Sequence, residues 1–178
     1  FKLACRVSAK RMFPNFSFLD APFNLQYYKP GHPETEVGYM GCRTRVVANA
    51  YDPSREVTAR RGNLSFTSIN LPRLAILARG DREAFFRSLD EMLDLVVGQL
   101  LERLEIQSRR RVRNFPFLMG QGVWLDSEKL GPDDEVREVL KHGTLSIGFI
   151  GLAECLKALT GAHHGESAEA QALGLEII

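Results

Sequence analysis

Residues 64–108 of this 178-residue chain read LSFTSINLPRLAILARGDREAFFRSLDEMLDLVVGQLLERLEIQS. The first six, 64–69, alternate apolar and polar side chains and include Phe, Thr and Ile, so they predict a β-strand that Pro72 limits. A long helix is predicted from Arg82 to Ser108, because apolar residues recur there every three or four positions and Asp81 can cap its start. A strand followed by a long helix favours an α/β fold.

The rest of the chain carries weaker signals of the same kind. Four prolines within the first forty residues predict an irregular start. A second clear helix is expected to begin near Ser146 and to end at Gly161. The remaining predicted elements are strands at 43–47 and 123–125, a brief helix at 133–141 and a last helix from Ser167 onward. The order of these segments is typical of an α/β architecture.

The composition excludes several classes of protein. Lys and Arg number 23 and Asp and Glu 22, so the formal net charge is +1, which removes the electrostatic case for a dedicated nucleic-acid binder. No apolar run approaches the roughly 20 residues of a membrane helix, and three cysteines are too few for a disulfide framework. The sequence therefore predicts a reduced, soluble, cytoplasmic protein. Its apolar ending at 173–178 favours an internal piece of a longer chain.

Cys42 is the first candidate for chemistry. Gly41 permits a tight turn that would present the thiol at a loop tip, and Arg43 would favour a thiolate if the side chains are close. The alternative is an inert cysteine, because a lone Cys in an intracellular protein is usually a small hydrophobe. Neither Cys5 nor Cys155 forms a C-x-x-C pair with it, so neither a thioredoxin-like site nor a zinc site is predicted.

Two further segments offer polar groups to a ligand. Asn63 stands at the entrance of the predicted strand, where its amide could bind a ligand or satisfy its own turn. Residues 142–151, HGTLSIGFIG, predict a glycine-interrupted loop before a helix, a place suited to phosphate because free N–H groups and the positive end of the helix dipole meet there. They match neither the Walker loop nor the dinucleotide fingerprint. Their glycines equally favour close packing of a buried helix.

Two charged clusters have simpler explanations than a functional site. His163 and His164 would diverge on a helix and have no third nitrogen or sulfur ligand nearby in sequence, so a surface loop is favoured over a metal site. The arginines within 109–113 are most simply a solvated helix end, and phosphate or RNA contact is the alternative.

Three blocks of sequence follow one another along the chain: YMGCR at 39–43, RGNLSFTSINLPR at 61–73 and HGTLSIGFIGL at 142–152. In this order they resemble the central part of the anaerobic (class III) ribonucleoside-triphosphate reductases, a family of glycyl radical enzymes. The closing segment, 160–178, resembles that family as well. The similarity spans nearly the whole chain but only a middle portion of the family's catalytic subunit.

The resemblance implies a fold and a set of site residues. The family fold is a ten-stranded α/β barrel with a finger loop in its interior, and Cys42 matches the cysteine at the tip of that loop. In the family this cysteine becomes a transient thiyl radical that abstracts the 3′-hydrogen of the ribose. Met40 matches a position beside the radical cysteine, and Asn63 matches an active-site Asn that binds near the reacting hydroxyls. The residues that match the phosphate-cradling segment are Thr144, Leu145, Ser146, Ile147 and Gly148.

The resemblance also implies what residues 1–178 lack. We expect them to form one partial domain without a cofactor of its own, with the ATP-sensing region, a structural zinc and the glycyl radical elsewhere in the parent chain. The expected partners are a ribonucleoside triphosphate, a radical S-adenosylmethionine activating enzyme, formate or a thiol reductant, and a second parent chain in a homodimer. Nucleic acid and membrane are not expected. Two alternatives are a glycyl radical enzyme with another substrate and a non-catalytic nucleotide-binding or regulatory module in which Cys42 is inert.

Overall fold

The computed structural model describes residues 1–40, 44–46, 49–54 and 57–178, in a mixed α/β arrangement that confirms the predicted class. The helices are α1 Lys2–Arg11, α2 Pro22–Leu25, α3 Leu71–Ala78, α4 Arg82–Ser108, α5 Arg137–Leu140, α6 Leu152–Thr160 and α7 Ala168–Ile177. The strands are β1 Gly38–Met40, β2 Thr44–Val46, β3 Asn63–Asn70 and β4 Thr144–Ile150, and they pair as β1 with β2 and β3 with β4. Among the described residues, no helix combines the length and apolar composition needed to cross a membrane.

The chain folds into two compact units, each made of two stretches of sequence. Residues 1–63 and 110–143 form the first unit, and residues 64–109 and 144–178 form the second. The first unit has a core around Trp124, whose indole Nε1 donates to the carbonyl oxygen of Val139 at 2.7 Å. Other buried side chains of this unit include Met119, Leu125, Val136 and Leu140. This unit holds the β1–β2 hairpin and the residues that lead into β3.

The second unit is built on α4, whose predicted bounds and cap are confirmed. The Asp81 carboxylate accepts the Ala84 amide at 3.0 Å, which satisfies one of the unpaired N–H groups at the start of the helix. The buried side chains that form the core with α4 are Ile69, Leu71, Leu74, Ala75, Phe85, Leu89, Val96, Leu100, Cys155, Leu156, Leu159 and Leu173. Each fully buried Leu or Phe of this set contributes about 1.5–3 kcal/mol.

Three of the described helices, α1, α2 and α3, lie where the sequence predicts none. The first forty residues are predicted to be irregular, yet 2–11 form α1, which contains no proline and buries no residue, so no apolar stripe reveals it. Helix α3 follows β3 directly. Pro72 occupies its first turn, where the missing N–H sacrifices no hydrogen bond, and the Asn70 side chain accepts the Arg73 amide at 3.1 Å. The proline that limits the strand therefore also begins a helix.

The helix predicted to begin near Ser146 is wrong over its first part. Residues 144–150 form strand β4, because Thr, Ile and Phe side chains favour extended backbone, and α6 begins only at Leu152. Gly151 has a φ of +75° and makes the turn from strand to helix. The predicted end at Gly161 is confirmed, with a φ of +86°. The last helix begins as predicted, since the Ser167 hydroxyl accepts the Ala170 amide at 3.3 Å.

The other short predictions have mixed outcomes. The strand predicted at 64–69 is confirmed as β3, and the one at 43–47 is confirmed at Thr44–Val46, while residues 43 and 47 lie outside the described residues. The strand predicted at 123–125 is wrong, because Trp124 and Leu125 are buried in a turn. Within 133–141 only Arg137–Leu140 are helical.

Candidate functional site

The β1–β2 hairpin flanks the cysteine that the sequence analysis singles out. The strands are antiparallel, and the register pairs Gly38 with Val46, Tyr39 with Arg45 and Met40 with Thr44. Cys42 is the middle one of the three residues that separate Met40 from Thr44 in the sequence. Cys42 itself lies outside the described residues. The described part of this site is therefore the pair of strands that lead to and from the cysteine.

Asn63 is the first residue of β3, at the strand entrance that the sequence predicts. Two residues earlier, Arg61 fixes the approach to the strand. Its Nε donates to the carbonyl oxygen of His142 at 2.7 Å, and another guanidinium nitrogen donates to that of Val57 at 3.1 Å. Burial lowers the pKa of Arg61, and because charged donors make the stronger hydrogen bonds, these contacts anchor the chain just before Asn63.

A buried histidine lies beside this anchor, and the sequence analysis assigns it no role. His142 is 3% exposed, and its Nδ1 lies 2.9 Å from Nδ2 of Asn49, which is also buried. Its Nε2 lies 3.3 Å from a carboxylate oxygen of Asp126. Asn49 Oδ1 accepts the Tyr51 amide at 3.2 Å, which turns Nδ2 toward the imidazole. An amide nitrogen only donates, so Nδ1 accepts and the ring proton sits on Nε2, facing Asp126.

A cavity of about 300 Å³ adjoins this histidine. The lining includes Tyr51, Asp52, Asp126, Lys129, Lys141 and His142. Its lysines are paired with carboxylates: Lys129 lies 3.0 Å from Asp126, and Lys141 lies 2.9 Å from Glu138. Within the described ranges, no group of three His, Cys, Asp or Glu side chains is arranged to hold a metal ion.

The segment predicted to cradle phosphate, 144–148, is the first part of β4 and not a loop before a helix. The dipole of α6 does not favour phosphate at these residues, because the helix begins only at Leu152. Side chains alternate along a strand, so Thr144, Ser146 and Gly148 share one face. On the other face, Leu145 packs against the core of the second unit, and Ile147 lines an apolar cavity of about 360 Å³. A phosphate contact would therefore use the polar face.

Gly148 and Gly151 are both points of close approach within the second unit. A Cβ at Gly148 would lie 3.1 Å from the hydroxyl oxygen of Ser68. A Cβ at Gly151 would lie 2.3 Å from Cγ of Pro72, well inside van der Waals contact. For Gly151 the structure therefore supports close packing, between α6 and α3, whereas Gly148 approaches Ser68 in the neighbouring strand β3.

The described residues of the predicted site fall on both units. Met40 and Asn63 belong to the first unit, and Thr144–Gly148 belong to the second. Beyond Asn63, strand β3 belongs to the second unit, in which it is the hydrogen-bonded neighbour of β4.

The two charged clusters have the ordinary surroundings that the sequence analysis favours. Arg109 pairs with Glu105 at 2.8 Å and Arg113 with Asp133 at 2.7 Å, and all four side chains are exposed. Exposed pairs of this kind contribute about 0–1 kcal/mol each. His163 lies in the turn between α6 and α7, with Nε2 3.2 Å from a Glu166 carboxylate oxygen.

Cys155 and Cys5 should differ sharply in reactivity. Cys155 is fully buried in α6, and burial raises its pKa to about 11, whereas Cys5 is exposed on α1. The thiolate is the reacting species, and at pH 8 roughly one Cys155 thiol in a thousand is ionised. We expect iodoacetamide at pH 8 to label Cys5 and to spare Cys155 until the protein is unfolded in urea, as measured by peptide mass spectrometry. Equal labelling of both cysteines in the native protein would contradict this expectation.

The whole chain is similar in sequence to proteins of a known family. A family model described as anaerobic ribonucleoside-triphosphate reductase matches residues 1–178. Similar curated proteins carry the same name in Salmonella typhimurium, 32% identical over 99% of this chain, in Escherichia coli, 31% identical over 99%, and in Enterobacteria phage T4, 29% identical over 92%. The chain spans about a quarter of the length of these relatives, namely 24%, 24% and 27%.

Proposed function

The chain belongs to the anaerobic ribonucleoside-triphosphate reductase family, and we propose that it is the part of such an enzyme that carries the hydrogen-abstracting cysteine, Cys42. The complete protein would reduce ribonucleoside triphosphates to 2′-deoxyribonucleoside triphosphates. The observation that carries this proposal is the family match along the whole of residues 1–178. Since the chain spans about a quarter of its relatives, we do not expect it to turn over alone.

The proposal includes the fold of the complete enzyme. Residues 1–178 would form one partial domain that supplies part of a ten-stranded α/β barrel, with the β1–β2 hairpin as the two sides of its finger loop. The register supports this assignment, because only three residues, centred on Cys42, separate the last pair, Met40 and Thr44. Three-residue connections are common in antiparallel hairpins.

The proposed chemistry is a hydrogen-atom transfer at Cys42. The sulfur radical takes the 3′-hydrogen atom of the ribose, which forms an S–H bond and leaves the unpaired electron on C3′. The 2′-hydroxyl then takes up a proton and leaves as water. Formate, released as CO2, or two thiol groups, released as a disulfide, supply the two electrons and the hydrogen that is added at C2′. The Cys42 thiol finally returns its hydrogen atom to C3′, which regenerates the sulfur radical. The radical would originate at a glycyl site elsewhere in the complete chain, after activation by a radical S-adenosylmethionine enzyme. The proposed complete enzyme is a homodimer with a structural zinc.

The residues around Cys42 would hold the substrate in place. The Asn63 amide has both donor and acceptor atoms, so it can bind hydroxyls of the ribose while the 2′-oxygen leaves. Met40 would lie beside the cysteine as a polarizable contact. The five residues Thr144–Gly148 would hold the triphosphate through the polar face of β4, where Thr144 and Ser146 carry hydroxyls and Gly148 has no side chain. The anchored approach of Arg61 supports a fixed position for Asn63.

The test is anaerobic turnover of CTP by the complete protein. After activation, electron paramagnetic resonance should show a glycyl radical, and chromatography should show dCTP when formate or a dithiol is supplied. A glycyl radical without dCTP from any ribonucleoside triphosphate would point to a glycyl radical enzyme with another substrate. Triphosphate binding without a glycyl radical or dCTP would favour a non-catalytic nucleotide-binding module. Either result would overturn the proposal.

A further inference from the structure

We propose that Asn24 is a positioning residue for Cys42, because its side chain fastens both strands of the β1–β2 hairpin to the same buried point of the first unit. This inference deepens the proposed function and rests on it for the role of Cys42.

The Asn24 amide is 2% exposed and makes contacts in three directions. Its Nδ2 donates to the carbonyl oxygen of Phe18 at 2.8 Å and lies 3.5 Å from the hydroxyl oxygen of Tyr39 in β1. Its Oδ1 accepts from the guanidinium of Arg45 in β2 at 3.2 Å. One contact therefore ties the amide to the preceding loop, and the other two reach one strand of the hairpin each.

These contacts matter because the two strand residues lie close to Cys42 in the sequence. Tyr39 and Arg45 are directly paired across the two strands, next to the pair Met40 and Thr44. Each lies three residues from Cys42 in the sequence, which corresponds to at most about 10 Å of extended chain. A displacement of about 1 Å at a reacting atom can lower a rate roughly 100-fold. We therefore expect the rate of hydrogen-atom transfer at Cys42 to depend on how firmly both strands are held.

Both strand residues are held by further groups, so they can transmit the constraint. The guanidinium carbon of Arg45 lies 5.5 Å from the ring centre of Phe23 and 5.9 Å from that of Tyr27, within the range of cation–π attraction. On the other strand, hydrogen bonds with Ser17 and then with Asn24 lower the pKa of the Tyr39 hydroxyl. Among these described groups, Asn24 is the one that contacts both Tyr39 in β1 and Arg45 in β2.

The alternative is that Asn24 only stabilises the fold and does not affect catalysis. A buried amide that satisfies the Phe18 carbonyl would stabilise its loop whatever the hairpin carries. A purely structural role predicts a loss of folded protein with an unchanged turnover rate per active site. A positioning role predicts a fall in kcat per glycyl radical with the KM for nucleotide retained. The two can therefore be separated by kinetics.

The test uses the complete, activated protein with Asn24→Ala, Asn24→Asp and the control Gln26→Ala. Gln26 is exposed on the same short helical turn and donates to the carbonyl oxygen of Phe23 at 2.9 Å. For Asn24→Ala we expect kcat per glycyl radical to fall about 10- to 100-fold, with the KM for CTP within about twofold and an unchanged radical signal. Asn24→Asp keeps an acceptor for Arg45 and should recover part of the rate, and Gln26→Ala should match the unmodified protein.

Hydrogen exchange gives a readout that does not depend on turnover. In Asn24→Ala, peptides that cover 38–46 should exchange faster, while peptides that cover 124–142 in the same unit keep their protection. An unchanged kcat with unchanged exchange at 38–46 would overturn the inference, and so would a loss of protection throughout the unit. If the unmodified protein forms a glycyl radical but no dCTP, the proposed function fails, and the exchange experiment still decides whether Asn24 fastens the hairpin.

Discussion

Cys42→Ser should abolish dCTP formation in the complete protein while the glycyl radical still forms. The O–H bond of serine is much stronger than the S–H bond of cysteine, so a glycyl radical cannot be passed to the hydroxyl. We expect the rate to fall at least about 1,000-fold, which corresponds to about 4 kcal/mol of activation free energy. The assay is anaerobic CTP reduction after activation, with the radical quantified by electron paramagnetic resonance in each sample.

Cys5→Ser is the matched control, because that cysteine is exposed on α1. Its activity should equal that of the unmodified protein. Formation of dCTP by Cys42→Ser would show that another residue abstracts the hydrogen. Loss of the glycyl radical itself in Cys42→Ser would show that Cys42 is needed at activation, before any substrate reacts.

Gly151→Ala should disrupt the junction of β4 and α6. The residue has a φ of +75°, and an added Cβ would lie 2.3 Å from Cγ and 2.7 Å from Cδ of Pro72, a rigid ring in the first turn of α3. The left-handed backbone costs an alanine about 1–2 kcal/mol, and forced overpacking adds about 1–3 kcal/mol. We expect the free energy of local opening to fall by about 2–5 kcal/mol, measured by hydrogen exchange of the α6 amides.

Gly161→Ala distinguishes the cost of the left-handed backbone from the cost of overpacking against Pro72. Gly161 ends the same helix with a φ of +86°, but a Cβ there would meet no atom within 4 Å. This variant should therefore lose only the conformational part, about 1–2 kcal/mol. Equal losses at the two positions would mean that the Pro72 ring moves away without penalty, so that the close approach of α3 and α6 is not a constraint.

The parts of the fold that follow from local sequence were predictable. Helix α4 buries a stripe of apolar side chains, Phe85, Leu89, Val96 and Leu100, and has a side-chain cap at Asp81, so both its helical period and its first residue could be predicted. Helix α1 was not predictable because it buries nothing and so has no stripe. The error at 144–150 has a different cause. Ile147, Ile150 and Ala153 are spaced as on a helix, but that spacing crosses Gly151, where a strand ends and a helix begins.

In the candidate site, the residues that could be predicted are those that lie in short sequence motifs. Cys42 and Asn63 stand out because each lies in a block of recognisable sequence. His142 also begins such a block, but its hydrogen bond with Asn49 joins residues 93 positions apart and leaves no local pattern in either segment. The same holds for Asn24, which lies in the short helix α2, two residues after Pro22. Its place beneath the hairpin becomes visible only when Tyr39 and Arg45 are paired.

The interleaved chain order of the two units affects how the protein is made. When residues 1–63 have left the ribosome, the other half of their unit, 110–143, is still separated from them by the 46 residues 64–109. At 5–20 residues per second, that interval lasts about 2–9 s. Throughout it, Asn49 lacks His142, and the segment that precedes Asn63 lacks the carbonyl oxygen that Arg61 binds. The nascent chain therefore passes through a stage in which side chains that are buried in the native unit lack their partners from 110–143. A chaperone that binds emerging chains should then increase the yield of native protein.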